Sequence, residues 1–286
     1  MTSEELYGVL SYAKITPEQK KRRRACFVKR FEPLLKPEGF IRKGTDFIRL
    51  CDDYILQVVT FRHISESGFC EIAAAANLLL RSWRFVLNSL PDDPPRWLHM
   101  HWCSAGPTLE KLCEFRYPNT DYCGQSVFRL TNDFEEAIEK SCQLMQMRGI
   151  PILNQLSNLD AVAKDDHRRV ELSIRSTNEK YGSNHRVPEP WEMLTPVGVL
   201  MRGDNDTALR ILREFARAIK EHYDEYSFES DLRELELVQH AIERIEANDQ
   251  EWINRFVNDT VEYICRHLNR VSPKILETYR QNNGRI

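Results

Sequence analysis

The stretch 97-WLHMHWC-103 sets His99, His101 and Cys103 at every second position, with tryptophans beside them. Imidazole and thiolate are the usual zinc donors, so metal coordination is the first chemistry these residues suggest. Alternate residues of a strand share one face and lie roughly 6.6 Å apart. Three side chains would therefore have to converge, and a fourth ligand would have to join them; His63, Cys113 and Cys123 are the candidates. Pro94, Pro95 and the aromatic flanks favour an irregular approach and ordinary packing instead. A metal-dependent enzyme centred near His99, His101 and Cys103 is thus the alternative reading. Zinc is the one cofactor suggested, and otherwise none is expected.

Other constellations are weaker. Asp165, Asp166, His167 and Glu171 can gather on one helix, and Asp53, His63 and Glu66 around a hairpin, as acid/base groups would. Neither set has a nucleophile elbow, and the chain has no phosphate-cradling glycine loop. On balance the sequence leans away from an enzyme. The run Lys20, Lys21, Arg22, Arg23, Arg24 is strongly basic, but on a helix it wraps most of the circumference. Phosphate binding would need help from Arg42, Lys43 and Arg49, and no aromatic–basic interleaving is present. Weak nucleic-acid binding through Lys20–Arg24 is therefore a minor alternative to a solvated helix face.

The formal charge of -3 also disfavours wholesale nucleic-acid binding, but it hides an asymmetry. Residues 1–60 hold 12 Lys+Arg against 8 Asp+Glu, whereas residues 221–262 hold 13 Asp+Glu against 3 Arg. The acidic C-terminal segment, with Glu225, Glu229, Asp231, Glu236, Glu243 and Glu246, is a surface toward which a basic protein would be steered. The leading expectation is a non-enzymatic protein-binding module with a protein partner, basic in character. The apolar run 72-IAAAANLLL-80 is too short to span a bilayer, and MTSEELYGVL lacks the features of a secretory signal. Eight cysteines without a CxxC spacing suit reduced thiols, so a cytoplasmic protein is expected.

The elements that must position these residues can be read from period and punctuation. Thr16-Pro17-Glu18-Gln19 has the form of a capping box with proline at the first helical position. The helix it opens carries Phe27, Phe31 and Leu34, holds Pro33 near its end, and stops at 37-PEG-39. Period two follows in 40-FIRKGTDFIRL-50 and 54-YILQVVTFRHI-64, with 51-CDD-53 as the turn between them. Gly39 is placed to end the helix with positive φ, Phe40 to plug the gap to the first strand, and Gly44 to form a bulge or close approach. Phe47 faces inward while Ile48 takes the other side, which implies that both sheet faces are covered. A third strand is expected near 69–78, with helix as its competitor, and short extended pieces near 97–103, 112–117 and 125–130.

From Thr131 the pattern is helical. Asn132 and Glu135 form a second box before a run to Arg148 that Gly149 and Pro151 end, and 152–166 reads as short helical turns. Residues 177–190 read as a loop. Asp204 to Asp206 cap a helix bearing Leu209, Leu212, Phe215 and Ile219; a second bears Leu232, Leu235, Val238, Ile242 and Ile245; Asn248 and Glu251 box a third. The expected class is α+β, an antiparallel sheet packed against helices, with residues 1–220 as the main domain and 221–286 as a helical extension.

The segment 31-FEPLLKPEGFIRKGTDFIRL-50, with 54-YILQVVTFRHI-64 and 127-VFRLTNDFEEAIEKSCQLMQMRGIPILNQLSNLD-160, resembles an uncharacterised bacterial family, domain-of-unknown-function number 4304. The shared features are a helix ending in Leu-Lys, then Gly39-Phe40, a basic residue, Gly44, and Phe47-x-Arg49. The resemblance covers roughly residues 15–220. It implies a sheet packed against helices in a cytoplasmic protein and brings no catalytic residues; an immunity-like role is an analogy from such families.

Overall fold

The computed structural model describes residues 16–63, 70–78, 134–271, 273–274 and 277. The described elements group into two compact units. The first holds α1 (Pro17–Leu35), the body of a sheet built from β1 (Ile41–Lys43), β2 (Asp46–Cys51), β3 (Ile55–His63) and β4 (Cys70–Leu78), and the helices α2 (Phe134–Leu144) and α3 (Ile150–Gln155). The second runs from Leu156 and holds α4 (Leu159–Tyr181), α5 (Pro196–Leu200), α6 (Asn205–Tyr226), α7 (Glu229–Glu246) and α8 (Gln250–Val271). This is the α+β class expected, with an antiparallel sheet in the order β1-β2-β3-β4. Position 220 falls inside α6, so the chain passes residues 220 and 221 without leaving a helix.

In the first unit, α1 opens on the expected box: Gln19 N–H donates to Thr16 Oγ1 at 3.2 Å, and the Gln19 side chain accepts from Thr16 N–H at 2.9 Å. Pro33 does not break the helix, since Lys36 N–H still reaches the Glu32 carbonyl at 3.0 Å. The buried face is Phe27, Phe31 and Leu35, whereas Leu34 is half-buried. The stripe keeps a strict four-residue step, so it follows one ridge of the helix. The end is a Schellman closure: Phe40 N–H bonds the Leu35 carbonyl, Gly39 N–H bonds that of Lys36, and Gly39 holds φ +83. Phe40 is buried just past it, as expected.

Gly44 differs from expectation. Lys43 pairs with Asp46 across a two-residue turn, with φ +65 at Gly44, and a Cβ there would meet nothing within 4 Å. It is a hairpin turn, not a bulge or a close approach, and the run 40–50 is itself two strands. A positive φ confined to the first turn residue suits glycine at that place. Phe47 and Ile48 are both buried, as is every residue of Ile55–Phe61, so the sheet centre is covered on two faces. The segment 70–78 is a strand.

Pro151 does not end the helical run that begins with α2. Met145–Gly149 form a π-helical turn, with Ile150 N–H bonded to the Met145 carbonyl, and α3 continues from it. The wider turn accommodates a residue that has no N–H and whose ring crowds the preceding turn.

In the second unit one helix, α4, runs from Leu159 to Tyr181 in place of the expected short turns; Asn158 caps it and Gly182 closes it at φ +63. Two corners then use the same device. At the end of α5, Asp204 N–H bonds the Val199 carbonyl and Gly203 N–H that of Leu200, with φ +77 at Gly203. At the end of α7, Asp249 N–H bonds the Arg244 carbonyl and Asn248 N–H that of Ile245, with φ +51 at Asn248. Each aspartate then caps the next helix, accepting from Thr207 N–H and Trp252 N–H respectively, at 3.0 Å in both cases. Asn248 therefore ends α7, and Asp249, not Asn248, starts α8.

Those backbone donors hold the Asp204 and Asp249 carboxyls below their ordinary pKa. A lowered folded-state pKa contributes stability at neutral pH that is lost as pH falls through the aspartate range. We expect the urea midpoint to decline below about pH 4, and to decline less in Asp204→Asn/Asp249→Asn, which keeps the acceptors but not the titration.

The short helix α5 is wholly buried. A Cβ on Gly198 would lie 2.7 Å from Thr195 Oγ1 and 2.8 Å from Leu159 Cδ2. Thr195 is the α5 cap and accepts from Gly198 N–H at 3.2 Å, so it has little room to move. Gly198→Ala is expected to cost about 1–3 kcal/mol in denaturant titration.

Candidate functional site

His99, His101, Cys103, Cys113 and Cys123 lie outside the described residues, as do Glu66 and the side chains of Asp53 and His63. Among the described residues no group of three or more His, Cys, Asp or Glu could hold a metal ion. No helix among them is long and apolar enough to cross a membrane.

The acidic and histidine residues on α4 are engaged locally. Asp165 bonds Arg169 at 2.6 Å and Arg168 at 3.2 Å, and Glu171 bonds Arg175 at 2.5 Å. His167 Nε2 lies 2.9 Å from the Pro188 carbonyl, an acceptor only, so that nitrogen carries the proton. These contacts brace a helix face and a loop.

The basic run on α1 divides. Lys21, Arg22 and Arg24 are exposed, while Lys20 and Arg23 are half-buried. Arg22 bonds Glu135 of α2 at 2.9 Å, and the Arg23 guanidinium lies 5.4 Å from the Phe134 ring centroid. Arg49, a candidate phosphate ligand by its charge, is turned to structural work. Its Nε donates to Gln57 Oε1 at 2.8 Å, and its two terminal nitrogens reach the Glu38 carbonyl and Asn154 Oδ1, each at 2.7 Å. Its guanidinium also lies 4.6 Å from the Phe40 ring centroid. Arg42 pairs with Glu32 at 3.4 Å. The motif residues Gly39, Phe40, Phe47 and Arg49 thus join the end of α1 to β2, β3 and α3.

The acidic residues of the second unit separate by position. Glu246, at the far end of α7, is held by Arg213 of α6 at 2.6 Å. Glu236 and Glu243 are exposed along α7. Glu225, Glu229 and Asp231 gather where α6 turns into α7, and Ser227, at φ +58, makes that turn.

Three aromatic residues stand among them. Tyr226 and Phe228 are each 52% exposed, with ring planes 13° apart and centroids 6.1 Å apart. His222 lies 4.8 Å from the Tyr226 ring and 5.7 Å from that of Phe228, and its Nδ1 is 2.6 Å from Asp231 Oδ2. Glu225 accepts from the Tyr226 hydroxyl, which raises the phenol pKa. Leu232 adds further exposed apolar surface one turn along.

The charge here opposes the helix. Backbone carbonyls make the C-terminus of α6 negative, an end that cations stabilise. Its last turn holds no basic residue, and Asp224 and Glu225 stand there instead. Acid at α6's end and aromatic rings in solvent are two local costs at one turn. His222, Tyr226 and Phe228 are absent from the sites that the sequence suggests. The signal for them is two aromatics flanking a serine inside an acidic run, where two helical patterns meet.

No protein-family model, curated protein or solved structure matches the chain.

Proposed function

We propose that this chain is a non-enzymatic protein-binding module that receives a basic protein segment on the α6–α7 turn. The observation that carries this reading is the pair of half-exposed rings, Tyr226 and Phe228, set among Glu225, Glu229 and Asp231. Exposed rings supply apolar area that a partner can cover, and the carboxylates steer and orient a cation. A cation at the end of α6 would also complement the helix dipole. The proposed setting is the cytoplasm, in keeping with eight cysteines that include no CxxC spacing.

The test is titration of a short Lys/Arg-rich peptide into the full chain, followed by fluorescence anisotropy. Binding is expected to weaken about ten-fold or more between low and physiological salt, and to be lost in Glu225→Gln/Glu229→Gln. Unchanged affinity in that variant would overturn the reading, because the peptide would then be held elsewhere on an acidic chain.

A further inference from the structure

We infer that the α6–α7 turn is an arginine-selective site, so that the partner presents a guanidinium, and not an ammonium or a methylated ammonium, to Tyr226 and Phe228. This rests on the proposed reading and narrows it to one side-chain chemistry.

The spacing of the rings carries the choice. His222 is inclined 44° to Tyr226 and 34° to Phe228, while Tyr226 and Phe228 are 13° apart. A box for a rounded quaternary ammonium needs ring faces held far enough apart to take the cation between them. Centroids 4.8, 5.7 and 6.1 Å apart leave no room for a cation between these rings, so what they offer is the outer surface of the cluster, a platform. A planar guanidinium lies flat on such a surface and loses little hydration in doing so, whereas an ammonium is compact and strongly hydrated.

The edge of the platform completes the match. Glu225 is at the Tyr226 hydroxyl, Asp231 is fixed against His222 Nδ1 at 2.6 Å, and Glu229 follows Phe228 directly. A stacked guanidinium points its N–H groups outward in its own plane, toward carboxylates placed at the rim. Lysine can satisfy the charge but cannot stack and fork together. The C-terminal end of α6, where Lys220 pairs with Asp224 at 3.1 Å but no cation stands in the last turn, favours either cation equally, so it adds affinity without selectivity.

The experiment compares three labelled peptides of identical sequence in which every basic residue is arginine, lysine or trimethyl-lysine, titrated into the full chain. The arginine peptide is expected to bind about ten-fold tighter than the lysine peptide. In Tyr226→Leu/Phe228→Leu that preference should fall to near unity while weaker, salt-sensitive binding persists. Both side chains are half-exposed, and an unchanged thermal melt establishes that the variant is folded. Equal affinity for arginine and lysine would overturn the selectivity and leave the basic-segment reading standing. Tightest binding of trimethyl-lysine would overturn it in favour of a cage. Failure of all three peptides to bind would overturn both.

Discussion

Phe27→Ala is expected to lower the unfolding free energy by about 4 kcal/mol, the cost of emptying the middle of a packed aromatic cluster. Phe27 is fully buried at the centre of the first unit. Its ring centroid lies 4.5 Å from that of Phe31, 5.3 Å from Phe61 on β3 and 5.8 Å from Phe47 on β2. Phe61 in turn meets Phe134 of α2 at 6.0 Å. One side chain therefore touches a helix neighbour and two strands, and no neighbour can close the gap alone. The loss combines transfer of a phenyl group with the cavity left behind, since packed interiors relax only partly. Phe27→Leu should cost less, on the order of 1–2 kcal/mol. Urea unfolding followed by circular dichroism reads both. A loss below about 1 kcal/mol for the alanine variant would mean that the cluster is not the core of this unit.

Gln57→Leu is expected to cost about 3 kcal/mol, although leucine matches glutamine in size and is more apolar. Gln57 is fully buried on β3. Its amide nitrogen donates to the Leu153 carbonyl at 2.5 Å, and its Oε1 accepts from Arg49 Nε at 2.8 Å and from a terminal Arg49 nitrogen at 2.5 Å. Leucine would strip an acceptor from a half-buried cation and a donor from a carbonyl at the same time. The diagnostic comparison is the pair Arg49→Met/Gln57→Leu. Removing both partners leaves no stranded charge, so the double variant should be more stable than Gln57→Leu alone. If the two costs simply add, Arg49 and Gln57 are not energetically coupled.

Particular residues explain which parts of the fold are legible in the sequence. Thr16 to Gln19 and Gly39-Phe40 are local devices, in which the bonding partners lie within five residues, and the structure forms both as their sequence implies. The alternation of Phe47 and Ile48 indicates a sheet covered on both faces because period alone fixes which side a residue takes. Three features are not legible in this way. Leu35 replaces Leu34 because the sheet, not the helix, decides which of two adjacent leucines is covered. Asp249 takes the cap expected of Asn248 because two helices share that corner, and Asn248 is already used with positive φ to end the first. The platform of His222, Tyr226 and Phe228 depends on two helices meeting at Ser227, and nothing in the spacing of either helix announces where their ends meet.

The π-helical turn at Met145–Gly149 has a consequence for angular phase. Each residue of an α-helix advances the azimuth by about 100°, and a π turn adds one residue without adding a full turn of the spiral. The face on which α3 emerges is therefore offset from the face that α2 would have continued. With that offset, the Leu153 carbonyl accepts from Gln57, and Asn154 accepts from Arg49 and donates to Glu38 at 3.3 Å. Deleting Met147, whose side chain is exposed, would remove almost no contact of its own. The π turn would then revert to an α turn, which spends the same rotation on one residue fewer, and Leu153 and Asn154 would keep their bearing on both partners. The extra residue is thus taken up on the exposed side of the turn, at Gln146–Arg148, and the sequence before and after it can each present the face that its own buried partners require.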